Sequence, residues 1–261
     1  DIDPDSNPIP LVQLNTTFRF GPDTADFIGK TVYAKDGIDY SATEHTSVPK
    51  LHTANTEPLQ AVYDPTPITV ITYNAEQTYQ QVNPIEAAIT NLLLWNHSQD
   101  ATAGVVTPHN AQRTRVRENL YSLQQRAPDT PINLDNGTQV ETVNRFQGGQ
   151  KGIMVVSATA SNPQFIRSES DFLLELNRAN VAFSRHQYKL IVVMAESLLS
   201  HIPEEPDTYD DALLWKTLSQ AAGEAPTTAD EPYWAGTLTE FMAPVDPSNP
   251  QRAAATDVSV Y

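Results

Sequence analysis

"VNRFQGGQKGIMVVSATASNPQF" (Val143–Phe165) carries a polar, glycine-bearing loop directly into an apolar run, Ile153 to Ala158, rich in β-branched residues. A short apolar run bounded by turn residues reads as a buried strand. Gly148, Gly149 and Gly152 put three of the chain's 10 glycines beside it. Without a Cβ, such a loop lets backbone N–H groups approach an anion closely, and it serves a plain tight turn equally well. Its spacing matches neither G-x-G-x-x-G nor G-x-x-x-x-G-K-[ST], so the neighbouring segments must decide between the two.

Ile68 to Tyr73, Gly104 to Thr107 and Leu190 to Met194 are further short β-rich runs. Between them lie helical patterns. Asn83-Pro84-Ile85-Glu86 offers a capping Asn, a Pro suited to the first helical position and a Glu placed to close a capping box. Ile85, Ala88, Ile89, Leu92 and Leu93 then form one apolar stripe. A second helix follows Pro108, with Val116, Leu120 and Leu123 inward and Arg113 and Arg117 on another face. Strands alternating with helices predict an α/β fold, a mostly parallel sheet with helices on both faces. Residues 34–66 show no sustained period and read as an irregular insertion. From Pro203 the composition turns acidic, with one short helix expected around Asp210 to Ala222 and a disordered stretch from Pro244 to Tyr261. The expected division is therefore 1–202 for the main domain and 203–261 for an acidic tail.

The 261 residues suffice for a sizeable core. The absence of Cys excludes disulfides and thiolate chemistry, which fits a reducing cytoplasm. No apolar run approaches the roughly 20 residues of a membrane helix, and no basic-then-apolar leader begins the chain, so no membrane association is expected. The net charge of −16 argues against a nucleic-acid partner until its distribution is considered. Residues 112–189 carry 10 basic and 7 acidic groups, whereas 1–111 carry 4 and 13 and 190–261 carry 2 and 12. Acid excess with only 6 Lys against 10 Arg suggests a high-salt cytoplasm, where the Debye length falls to about 3 Å and surface acids repel less.

Four segments in order, "LNTTFRFGPDTADFIGKTVY" (14–33), "GVVTPHNAQRTRVRENL" (104–120), "TVNRFQGGQKGIMVVSAT" (142–159) and "LNRANVAFSRHQYKLIVV" (176–193), resemble motifs of superfamily 1 helicases. The resemblance is to the second RecA-like motor domain of the Upf-like branch, and the acidic composition suggests a halophilic archaeal source. It implies a RecA-like fold and an ATP-dependent helicase or translocase on single-stranded nucleic acid, with DNA favoured over RNA. Arg19 and Arg185 match the two arginines that reach the ATP γ-phosphate and stabilise transferring phosphoryl charge. Gly149, Gln150 and Arg178 fall beside the nucleotide; a seven-residue spacing would put Arg178 on the same helical face as Arg185. Thr107, Pro108, His109 and Gln112 match the loop and helix start that meet the bound strand, where a helix N-terminus suits phosphate. Thr142, Asn144, Gln147 and Gly148 match the motif that grips that strand and couples it to the nucleotide.

Three positions depart from the family pattern: Gln150 stands where Glu is usual, His186 where Ala is usual, and Gly152 where Asp is common. No G-x-x-x-x-G-K-[ST] string and no Asp-Glu pair closing an apolar strand occurs. The resemblance therefore implies that ATP and its Mg2+ are held by a first RecA-like domain of the same polypeptide, leaving this chain an incomplete enzyme. No metal-ligand spacing is seen among the six His. Two other readings are an inactive RecA-like binding module and the motor part of a helicase–nuclease fusion.

Overall fold

The computed structural model describes residues 15–44, 47–63, 66–126, 134, 138–146, 149–203, 209, 211–212, 214–218, 232–242 and 256–261. The four apolar runs become four adjacent strands: β3 (Ile68–Asn74), β4 (Ala103–Thr107), β6 (Lys151–Ser157) and β7 (His186–Ala195). Their near-continuous burial is the pattern of strands covered on both sides. With β5 (Gln139–Thr142), β8 (Trp234–Thr237) and β9 (Asp257–Val260) they form a seven-stranded sheet in the order β5-β4-β6-β7-β3-β9-β8. The first five strands of that order run parallel, and β9 and β8 add antiparallel at the far edge.

Alternate residues of each strand feed two cores. Val70, Val106, Met154, Val156, Leu190 and Val192 face one; Ile71, Val105, Ile153, Val155, Ile191 and Val193 face the other. The first core is covered by α1 (Pro22–Ile28), α5 (Pro163–Ser168), α6 (Ser170–Leu173), α7 (Leu176–Phe183) and α8 (Glu196–Leu199). The second is covered by α2 (Glu57–Tyr63), α3 (Pro84–Asn96) and α4 (Asn110–Arg126). This mixed α/β sheet with helices on both faces has the layers of a RecA-like core.

Two sequence expectations need correction. Residues 34–66 are not uniformly irregular: β2 (Ser41–Ala42) pairs with β1 (Thr16–Thr17), and α2 buries Leu59, Val62 and Tyr63 in the second core. Of the stretch expected to be disordered, residues 257–260 form β9, hydrogen-bonded between β3 and β8 with Val258 and Val260 buried. The described residues of the expected short helix, 211–212 and 214–218, are helical, and Ala212, Leu214, Trp215 and Leu218 are buried in the first core. No helix among the described residues is long and apolar enough to cross a membrane.

Candidate nucleotide and nucleic-acid site

Arg19 follows β1 in a turn where its N–H donates to the Thr17 hydroxyl at 3.2 Å. Its guanidinium Nη1 donates to the backbone carbonyl of Ser184 at 2.7 Å. Arg185 lies between the end of α7 and the start of β7, and its own carbonyl accepts from the N–H of Lys151 at 3.0 Å. The two arginines therefore meet. Among the described residues no carboxylate pairs with either, and the Arg185 Nε is buried without a hydrogen-bond partner. Burial, and after it the positive charge of Arg19, lower the Arg185 pKa from its ordinary value. Two adjacent cations with unspent donors favour an anion between them.

His186 fixes this meeting point, which the sequence reading treated only as a departure from the pattern. The ring is fully buried and stacks on Phe20 at 5.5 Å between centroids. Its Nδ1 is 2.8 Å from the Phe183 carbonyl, which can only accept, so this nitrogen carries the proton. In the neutral ring Nε2 then accepts from the Thr24 hydroxyl at 3.0 Å. One side chain thus joins α1, the segment before it and the end of α7. Tyr40, from the 34–66 stretch, packs tilted against Phe20 at 6.4 Å. The neighbour of Arg19, Phe18, is 78% exposed, a large aromatic ring in solvent beside the arginine pair that sequence reasoning missed.

The opening loop spans the sheet. Thr142, at the carboxyl end of β5, is level with Thr107 on β4, and Val106 is level with Val156 on β6. Lys151, which begins β6 and pairs with His186, lies five residues before Val156, about 17 Å away along the strand. The segment from Thr142 to Lys151 therefore travels from the carboxyl edge, where Thr107 and Pro108 sit, to the amino edge, where Arg185 sits. Gly149 and exposed Gln150 lie at the arginine end; a Cβ on Gly149 would come within 3.5 Å of the Gln139 side chain at the start of β5. Gly152 has a packing reason: a Cβ there would meet the Thr102 carbonyl at 3.2 Å. Gln147 and Gly148 lie outside the described residues.

At the carboxyl edge, exposed Asn144 and Arg145 stand on a short 3-10 turn, with Pro108 half-buried nearby. Thr107, Gln112 and Thr142 are placed otherwise than expected. Thr107 is fully buried and its hydroxyl faces that of Thr159 at 2.9 Å. Gln112 is fully buried and its amide is spent on the Asn83 carbonyl and the Ser157 hydroxyl, both at 3.1 Å. Thr142 is buried too. These side chains support the loops from inside and do not face a strand. His109 is nine-tenths buried, stacked on Phe172 at 5.5 Å, with burial lowering its pKa. Arg145, an exposed cation one residue past Asn144, was legible only as a basic residue inside the motif.

Arg178 also departs from expectation. It donates to the Phe172 carbonyl at 2.5 Å, pairs with Glu175 at 2.8 Å and lies 4.2 Å over the Phe172 ring. It lines a cavity with Pro108 and Val143, toward the carboxyl edge. Since α7 ends at Phe183, helical phase does not carry from Arg178 to Arg185. Arg178 sits in the first turn of α7 and Arg185 two residues beyond its end, with about 7.5 Å of helix between Arg178 and Phe183.

Among the described residues no cluster of three or more His, Asp or Glu stands ready for a metal ion. A family described as the AAA domain matches residues 5–197. The chain is similar to a DNA replication ATP-dependent helicase/nuclease of Arabidopsis thaliana, 30% identical over 125 residues, 46% of this chain and 8% of that protein. It is also similar to the probable helicase senataxin of Homo sapiens, 25% identical over 195 residues, 71% of this chain and 6% of that protein. A DNA polymerase alpha-associated DNA helicase of Saccharomyces cerevisiae is 30% identical over 109 residues, 42% of this chain and 14% of that protein. The chain thus spans a small part of the curated relatives it matches.

The family match corrects one expectation. The missing phosphate-loop string made the chain an incomplete ATPase, with the nucleotide-binding region absent from it. The AAA domain match instead runs over residues 5–197, so that region is not absent. One string tests one short loop, whereas a domain match rests on the pattern of the whole fold.

Proposed function

We propose, for a chain that belongs to the AAA domain family, that it works as the second RecA-like lobe of an ATP-driven helicase or translocase moving on single-stranded nucleic acid. The observation that carries this reading is the meeting of Arg19 and Arg185 at one edge of the sheet, joined by the 142–151 segment to the opposite edge. ATP with Mg2+ supplies the transferable phosphoryl group. Arg19 and Arg185 bind its phosphates. Phe18 offers a ring on which a base stacks. Gly149 and Gln150 border the nucleotide, the latter as a neutral hydrogen-bonding group.

At the carboxyl edge, Asn144, Arg145 and the loop from Pro108 to Asn110 contact the strand, supported from beneath by Thr107, Gln112 and Thr142. The loop between the edges is the element through which nucleotide state reaches the strand. DNA is favoured over RNA because two of the relatives above carry DNA in their names. The helicase/nuclease relative also supports a second reading, in which a nuclease accompanies this motor. The acid excess fits work in concentrated salt.

The test is ATP turnover with and without an oligothymidylate. Arg185→Ala is expected to keep nucleotide binding and to lose most of the strand-stimulated rate. Undiminished turnover in that variant would refute the assignment.

A further inference from the structure

Glu86 is fully buried at the start of α3. A Glu three residues after an Asn cap ordinarily folds back onto the cap's N–H. Here the Asn83 N–H is taken by the Gln112 side chain at 2.8 Å, and the Glu86 carboxylate turns to the end of β6. Its Oε2 accepts from the Ser157 hydroxyl at 2.6 Å and from the Thr159 N–H at 2.7 Å. Its Oε1 accepts from the Tyr73 hydroxyl at 3.1 Å. The Asn83 side-chain amide donates to the Thr159 carbonyl at 2.8 Å. Both backbone polar groups of Thr159 are therefore held by two side chains at the start of α3.

Thr159 has φ +73°, a left-handed conformation adopted by no other non-glycine among the described residues. A β-branched residue is strained there and persists only where its surroundings over-determine it. From that backbone, the Thr159 hydroxyl lies 2.9 Å from the hydroxyl of Thr107, the last residue of β4. Pro108, His109 and the start of α4 follow at once, and Gln112 of α4 is tied into the same network through Asn83 and Ser157.

We propose that Glu86 is a positioning residue for nucleic-acid binding: its carboxylate locks Thr159 in the left-handed conformation from which the Thr159 hydroxyl fixes Thr107 and the β4–α4 loop against the strand. This rests on the reading of that loop as a strand contact. Core formation alone does not call for such a group, since α3 already buries Ile89, Leu92 and Leu93. A buried carboxylate is costly unless several donors hold it, and here those donors converge on one strained residue beside the loop. The same carboxylate links α3, β3 and β6, so the loop is held from three elements.

The test measures binding of a fluorescein-labelled oligothymidylate by the full chain at fixed salt, with thermal unfolding of each variant alongside. Glu86→Gln and Thr159→Val are each expected to weaken binding about tenfold, the scale of one lost hydrogen bond. Thr159→Ser keeps the hydroxyl and is expected to bind far better than Thr159→Val, a contrast that a loss of packing alone does not produce. Should Glu86→Gln not unfold cooperatively, the Thr159 pair carries the test. Equal binding by Thr159→Val and Thr159→Ser, or binding that follows melting temperature and not the hydroxyl, overturns the inference. Wild-type binding with Glu86→Gln unchanged overturns the inference alone; no binding by the wild type overturns the underlying reading with it.

Discussion

The Arg19 guanidinium donates to the Ser184 carbonyl at 2.7 Å across 165 residues of chain. The bond fixes Arg19 beside Arg185 through backbone and leaves the remaining donors of both side chains available. A carboxylate in place of that carbonyl would neutralise the pair, whereas a carbonyl orients it and keeps both charges.

His186→Ala should loosen this arrangement. The substitution removes the ring stacked on Phe20 and leaves the Phe183 carbonyl and Thr24 hydroxyl without their partner. Removing a buried, doubly hydrogen-bonded side chain costs about 2–4 kcal/mol. Chemical denaturation checks the stability loss, and the turnover rate should fall more than nucleotide affinity does because the arginines are displaced rather than removed. An unchanged rate would mean that His186 is a core residue only.

Glu86 gives a pH dependence of defined sign. Burial raises its pKa to about 7, partly offset by the bonds from Ser157, Thr159 and Tyr73. A carboxyl raised above its unfolded value binds its proton more tightly in the native state. Its stabilising contribution is therefore complete below about pH 4.5 and is lost as pH rises through about 7. The loss is on the order of 3 kcal/mol. Urea unfolding across this range should show the slope in the wild type and a smaller one in Glu86→Gln; parallel curves would contradict the shift.

Arg145 and Gln112 should separate surface contact from internal support. Arg145→Ala is expected to lower the slope of log binding constant against log salt by about one phosphate contact and to leave folding intact. Gln112→Ala removes bonds to Asn83 and Ser157, so it should destabilise the fold by about 1–3 kcal/mol and leave the salt slope unchanged. Salt titrations of oligonucleotide binding read the first effect, denaturation the second.

The main sheet was legible because its runs are long and β-branched: Ile68 to Tyr73 became β3 with one further residue, and Leu190 to Met194 the interior of β7. The Asn83 cap was legible as well, its side chain accepting from the N–H groups of Ile85 and Glu86. Spacing makes Glu86 a local cap, but a competing acceptor on α4, the Gln112 side-chain oxygen, takes the cap's N–H, a tertiary fact that local spacing does not carry. Strand β9 left a signal that composition hid: Val258 and Val260 alternate with Asp257 and Ser259 at the strand period. The motifs located the arginine pair, whereas the inward placement of Thr107 and Gln112 follows from strand ends packing against α3 and α4. Spacing alone could not separate Arg178 from Arg185, because α7 stops two residues short of the second.

We propose that Arg19 and Arg185 act as one anion-binding unit on the nucleotide. A double-mutant cycle decides this, comparing the strand-stimulated ATP turnover of Arg19→Ala, Arg185→Ala and the double variant. Groups that act as a unit are strongly non-additive, so each single change should cost about 10³-fold or more and the double little beyond the worse single. Wild-type turnover in either single variant, or losses that multiply in full, would contradict it.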